Sequence, residues 1–222
     1  MSQQTKANNE LITERLKGLF AFNELMFAYY CGSRAYGTTD KESDVDVVAV
    51  FSDLNGITHA AFDEMDIFAY GIDSFIQRQS ISDELPLYNL IHADDFIKAK
   101  ENLIYLKPEY KDNFNKLLAI GFEKVLPDYL DAFIEYYDAL INKQQAKVKR
   151  AYHIYRVKAI IDNFKKTSKY DVNIPKAAVD KISNYKKNWE SLEDDVILEF
   201  SNIIAEIKEF RESLKVGDKS EN

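Results

Sequence analysis

The stretch Cys31-Gly-Ser-Arg-Ala-Tyr-Gly-Thr-Thr-Asp-Lys-Glu-Ser-Asp-Val-Asp-Val-Val-Ala-Val-Phe51 decides how the chain is read. Its end, Ser43 to Phe51, is rich in β-branched residues and reads as a strand. Its beginning places Gly32 and Ser33 directly after another apolar run, Leu25 to Cys31, which the glycine stops. Where such a strand gives way to a short segment able to turn helical, backbone N–H groups face an anion, so the place suits a phosphate. Gly32 has no side chain and permits close approach, the Ser33 hydroxyl can donate to a phosphate oxygen, and Arg34 adds a charged fork. Seven residues past Gly37, Asp44 and Asp46 stand two apart at the head of the strand. A period of two projects both carboxylates from one face, with Val45, Val47 and Ala49 turned into the core and the strand half buried. Two anions held this close repel unless a cation bridges them, and hard oxygen ligands suit magnesium or manganese in company with phosphates.

Working outward, Met65 to Ile72 is a third strand-like run, separated from the second by a polar, glycine-containing connection around Asp53 to Gly56. Three neighbouring strands make a small sheet. Asp66, at the head of the third strand, then falls beside the Asp44–Asp46 pair, because adjacent strands lie only about 4.8 Å apart. Asp63 and Glu64 are its rivals for that position, but both belong in the preceding turn. Three carboxylates so placed would hold two metal ions about 3.5–4 Å apart, one activating an attacking oxygen and both neutralising charge on a triphosphate. The plainer reading of Asp44 and Asp46 is an exposed loop entering an edge strand, and isolated Asp-x-Asp triplets are common. The Gly-Ser pair after a strand, the short connection and the apolar run after the second Asp together argue against it.

Gly32-Ser33, Gly37 and Ser43-Asp44-x-Asp46, followed by a third strand acid, resemble the nucleotidyltransferase motif of the polymerase-beta-like superfamily. In detail, Gly-Ser-Arg-Ala-Tyr-Gly with Ser-Asp-Val-Asp is most similar to the nucleotidyltransferases of the RNA-ligase-associated polymerase type. The resemblance is strongest over Tyr30 to Ile72 and reaches, more loosely, to His153 and Arg156 and about Asp171. It implies a nucleoside triphosphate substrate, most often ATP, whose α-phosphate is attacked by a hydroxyl while pyrophosphate leaves. By the same resemblance Gly32 and Ser33 match the triphosphate-binding pair, Asp44 and Asp46 the ligands of Mg2+ or Mn2+, and Asp66 the third acid. The acceptor stays open between an RNA 3′ end, a protein side chain and a small molecule. A rival from another class is a nucleotide-binding or antitoxin-like regulatory module that keeps the fold and does no chemistry.

The rest of the chain bounds these readings. With 222 residues, 46% of them hydrophobic, and 14 Phe and 14 Tyr, the protein can bury a substantial core. A polar N-terminus and the lack of any run of about eighteen apolar residues point to a soluble cytoplasmic protein without membrane association. The single Cys31 forms no internal disulfide, and with His59, His92 and His153 it makes no zinc set at familiar spacing. The formal charge of −8 hides an asymmetry: residues 141–190 hold 11 Lys and 2 Arg against 3 Asp and 1 Glu, a local +9, leaving −17 elsewhere. That basic stretch reads either as an intramolecular complement to acidic segments or as a phosphate-facing surface that leans toward RNA.

Helical periodicity predicts a first helix over Asn8 to Phe22, with no convincing strand after about Asp73. A long helical run follows from Asp128 to about Lys166, interrupted near Asn142 to Ala146, and a last helix covers Asp194 to Leu214. Breaks are expected near Pro86, Pro108, Pro127 and Pro175. His153 and Arg156 stand three apart and share a helix face; with Lys149 they offer cations to a triphosphate or acceptor, or simply an exposed face. Lys41 likewise reads as a surface charge or a triphosphate contact. Arg150 stands too close to His153 for the spacing that helical ribonucleases show, so RNA cleavage is not expected of this half. The architecture expected is α+β: a small mixed-sheet catalytic core over residues 1–95, a helical part over 96–215 and a disordered tail over 216–222.

Overall fold

The computed structural model describes residues 3–39, 43–79, 93–120, 122–142, 148–169, 171 and 174–217. It is α+β as expected, and falls into two compact units, one holding residues up to 83 and 95–121, the other residues 122 onward.

The first unit is built on a five-stranded sheet. Helix α1 (Gln3–Leu19) leads to β1 (Leu25–Tyr30), the short helix α2 (Gly32–Tyr36), β2 (Val45–Phe51), β3 (Ile57–Phe62), β4 (Met65–Gly71), helix α3 (Ile72–Gln79), β5 (Leu103–Leu106) and helix α4 (Lys111–Ile120). Spatial order is β3-β4-β2-β1-β5. The β2–β4 pair is parallel and all other pairs are antiparallel, so β3 runs back along the outside and β4 inserts between it and β2.

Two apolar layers sandwich this sheet. Val47, Ala49, Phe51, Ile67 and Ala69 face Ile12 and Leu16 of α1. On the other face Val48, Val50, Phe27 and Tyr29 meet Phe75, Phe96, Phe114 and Leu117. β2 is therefore buried on both faces from Val47 to Phe51 and is not the half-buried strand expected; a central strand flanked by a parallel neighbour carries a continuous apolar run for this reason.

Two strands escape a periodicity reading. β3 is an edge strand with five of six residues exposed, so it lacks the apolar alternation that marks a strand. β5 has only four residues within a helix-dominated stretch. Because β5 pairs with β1, and Phe114 and Leu117 of α4 complete the aromatic layer, the sheet unit runs to Gly121 and not to the expected boundary near 95.

The second unit consists of α5 (Phe122–Asn142), α6 (Val148–Thr167) and α7 (Lys176–Gly217). Pro127 lies within α5 without ending it, contrary to the expected break. The predicted interruption near 142–146 falls mostly on residues 143–147, outside the described ones, as do Pro86 and residues 218–222 of the expected disordered tail; 216 and 217 belong to α7.

α7 cannot be one straight rod. Eighteen residues of helix at 1.5 Å each would put Lys181 and Glu199 about 27 Å apart, yet Lys181 Nζ lies 2.5 Å from Glu199 Oε1. Tyr185 also stacks edge-on against Phe200. The helical stretch therefore doubles back between Tyr185 and Val196, and its second arm matches the helix expected over Asp194 to Leu214. Four helical arms result, tied by Arg211 to Asp131, Lys208 to Asp138 and Lys158 to Glu206.

Candidate active site

The sheet order brings the head of β2, the head of β4 and the turn after β1 to one end of the sheet. In the parallel register Asp46 stands directly opposite Asp66, and Val45 opposite Met65. Neighbouring residues in register point to the same side, so the two carboxylates share a face at the edge of the aromatic layer, two residues beyond Val48 and Phe68. Both are partly buried, and Asp44, one residue before β2, is exposed. Asp63 and Glu64 form the two-residue turn between β3 and β4, with Asp63 at φ 52°. They are thus set apart from the strand position that Asp66 occupies.

Backbone hydrogen bonds lock this end. The Cys31 N–H donates to the Asp46 carbonyl at 3.0 Å, and the Val45 N–H to the Glu64 carbonyl at 2.9 Å. Gly32 follows at φ 58°, and a Cβ built there would sit 1.9 Å from Asp46 Oδ2. The glycine is thus required by the protein's own carboxylate as well as by its left-handed backbone. The Ser33 hydroxyl oxygen is buried and makes no hydrogen bond among the described residues. A buried hydroxyl without a partner is costly, and a phosphate oxygen would satisfy it. With only five residues α2 has a small dipole, so the hydroxyl and the side-chain-free backbone are what the turn offers.

Comparison of the sequence with protein families and with curated proteins gives no match.

Arg34 is exposed, and its guanidinium lies 5.4 Å from the centre of the Tyr30 ring. Tyr30 belongs to the layer facing α1, where its hydroxyl donates to Asn9 Oδ1 at 2.8 Å. Burial pushes the Tyr30 hydroxyl's pKa up, and the Arg34 charge partly offsets this. The structure thus leans Arg34 toward the sheet face opposite Asp46 and Asp66. Lys41 lies outside the described residues.

The cations expected from the helical half belong to the second unit. Lys149 lies in the first turn of α6. His153 and Arg156 do share a face, with Arg156 Nη1 2.8 Å from His153 Nδ1, but Arg156 is fully buried. Its guanidinium is an interior group of the bundle, whereas His153 on the same face is only partly buried. Part of the basic stretch is spent internally as well. Lys158 pairs with Asp162 and Glu206, and Lys181 with Glu199, which favours the intramolecular-complement reading of the charge asymmetry.

One neighbour of the acids escaped the sequence reading. His59 of β3 stacks on Phe68 at 4.9 Å, and its Nε2 lies 3.4 Å from Asp66 Oδ1. Recognising β3 would have found it, because the two-residue turn at Asp63 and Glu64 fixes Ala61 opposite Asp66 and His59 opposite Phe68.

Among the described residues no group of three or more His, Cys, Asp or Glu side chains converges to metal-binding distance. In donor type and register, Asp46 and Asp66 fit a hard divalent cation better than a soft one, while the exposed Asp44 does not converge with them. Also among the described residues, no helix is long and apolar enough to cross a membrane.

Proposed function

We propose that the chain is a metal-dependent nucleotidyltransferase of the polymerase-beta-like kind, moving a nucleoside monophosphate from a nucleoside triphosphate, with ATP the first choice, to a hydroxyl acceptor. The observation that carries this reading is the in-register placement of Asp46 and Asp66 on adjacent parallel strands, with Gly32 against the Asp46 carboxylate. Asp44, Asp46 and Asp66 would hold Mg2+ or Mn2+, which neutralises charge on the triphosphate when bound. The Ser33 hydroxyl donates to a phosphate oxygen, and the bare backbone at Gly32 makes room for the Asp46 carboxylate beside it. In the reaction the acceptor oxygen forms a bond to the α-phosphorus and the bond to the β-phosphate oxygen breaks. Pyrophosphate leaves with that electron pair, and the hydroxyl proton is lost to water.

The test is nucleotide transfer by the full chain with radiolabelled triphosphates, magnesium, and mixed RNA and protein as acceptors. The labelled species identifies the acceptor. Asp44→Asn with Asp46→Asn should lower transfer by at least about a hundredfold while the circular dichroism spectrum stays native. Full activity in that double variant would defeat the assignment, whereas tight ATP binding without pyrophosphate release would leave a binding module that does no chemistry.

A further inference from the structure

We propose that His59, on the edge strand β3, is a positioning residue that holds the Asp66 carboxylate in place for a divalent cation. The inference rests on the nucleotidyltransferase reading and adds to it a residue outside its motif.

Three observations support it. The β3–β4 register sets Ala61 opposite Asp66 and His59 opposite Phe68, so His59 is the diagonal neighbour of Asp66 on the face that carries both acids. The imidazole lies nearly parallel to the Phe68 ring, with 17° between planes, which fixes its orientation on an otherwise exposed strand. Its Nε2 then lies 3.4 Å from Asp66 Oδ1. A lone exposed contact of this kind contributes little to stability. Its consequence is orientation: with Nε2 beside Oδ1, the other Asp66 oxygen is turned to a cation. Carboxylates that bind metals are commonly oriented by a polar neighbour, whose loss costs roughly ten- to a hundredfold in metal affinity or activity.

The experiment measures binding of Mn2+–ATP to the full chain, by the enhancement of water-proton relaxation over protein-free Mn2+–ATP, alongside pyrophosphate release. His59→Leu removes the polar edge, and His59→Gln retains a donor. Phe68→Leu removes only the stacking partner. The expected result is Mn2+–ATP binding weakened about tenfold or more in His59→Leu, largely restored in His59→Gln and intermediate in Phe68→Leu. Equal binding by His59→Leu and the native chain overturns the positioning role. So does equal impairment of His59→Leu and His59→Gln, since packing alone would then explain the loss. Failure of the native chain to bind Mn2+–ATP overturns the nucleotidyltransferase reading and the role of His59 with it, so the two failures are told apart by the native protein alone.

Discussion

Gly32 concentrates two demands on one backbone position, and they can be separated by experiment. Its φ of 58° is left-handed, and a Cβ there would meet Asp46 Oδ2 at 1.9 Å. Gly37 is also left-handed, at φ 73°, but has nothing within 4 Å of a built Cβ. Gly37→Ala should therefore cost backbone strain alone, about 1–2 kcal/mol in urea unfolding, with transfer activity kept. Gly32→Ala should cost more than that and remove activity, because the Asp46 carboxylate has to move. Similar losses in both variants would show that the Asp46 contact is unimportant. At this scale the sequence disclosed the directions of short side chains but not those of long ones. Gly32, Ser33, Asp46 and Asp66 were legible because strand alternation and a chain-breaking glycine dictate where they point. Arg34 and Arg156 were not, since long side chains follow whichever neighbours they find. One leans over Tyr30 and the other is buried inside the bundle.

Among the elements, α7 makes the sharpest claim. If it doubles back, spin labels at Ala177→Cys and Ala205→Cys, both exposed positions, should lie within about 20 Å of each other. A straight helix would hold them about 42 Å apart at 1.5 Å per residue, and a distance near that value would refute the reversal. The two arms and α6 meet at Glu199, whose carboxylate accepts from the Tyr155 hydroxyl at 2.6 Å, from the Tyr185 hydroxyl and from Lys181. Burial pushes the Glu199 pKa up, but the hydrogen bonds from Lys181, Tyr155 and Tyr185 outweigh it and hold the carboxyl below its ordinary value. A depressed carboxyl stabilises the fold above the unfolded-state range, about pH 4.3, and loses that contribution as pH falls through the lower folded value. Glu199→Gln should thus cost about 1–3 kcal/mol at pH 7, since two buried tyrosine hydroxyls lose their charged acceptor. Urea midpoints taken from pH 7 to 3 should show the gap between native and variant closing with acid; a constant gap would argue against the charged acceptor. Long helices with apolar spacing were readable in advance. The reversal within α7 was not, because no proline or glycine marks it between Tyr185 and Val196.

At the scale of the molecule, each unit has an apolar interior of its own, and each is held by large aromatics: Phe27 in the sheet unit, Phe200 in the helical one, both fully buried. Truncating either to alanine should cost about 3–5 kcal/mol. Trp189, the single tryptophan, lies in α7, so its fluorescence reports the helical unit directly. Phe200→Ala should lower the midpoint of the fluorescence transition strongly, and an unmoved midpoint would contradict the packing described. The division itself was half legible. A sheet followed by helices could be read from periodicity, but β5 and α4 look from sequence like part of the helical half and are claimed by the sheet only through pairing with β1 and packing under Phe27. The turn at Asp63 and Glu64 adds a constraint on chain length. It has two residues, and side chains along β3 alternate faces. One residue gained or lost there, with β4 held by its neighbours, would bring His59 out on the far side of the sheet. Lineages of this chain should accept many substitutions in that turn and very few insertions or deletions.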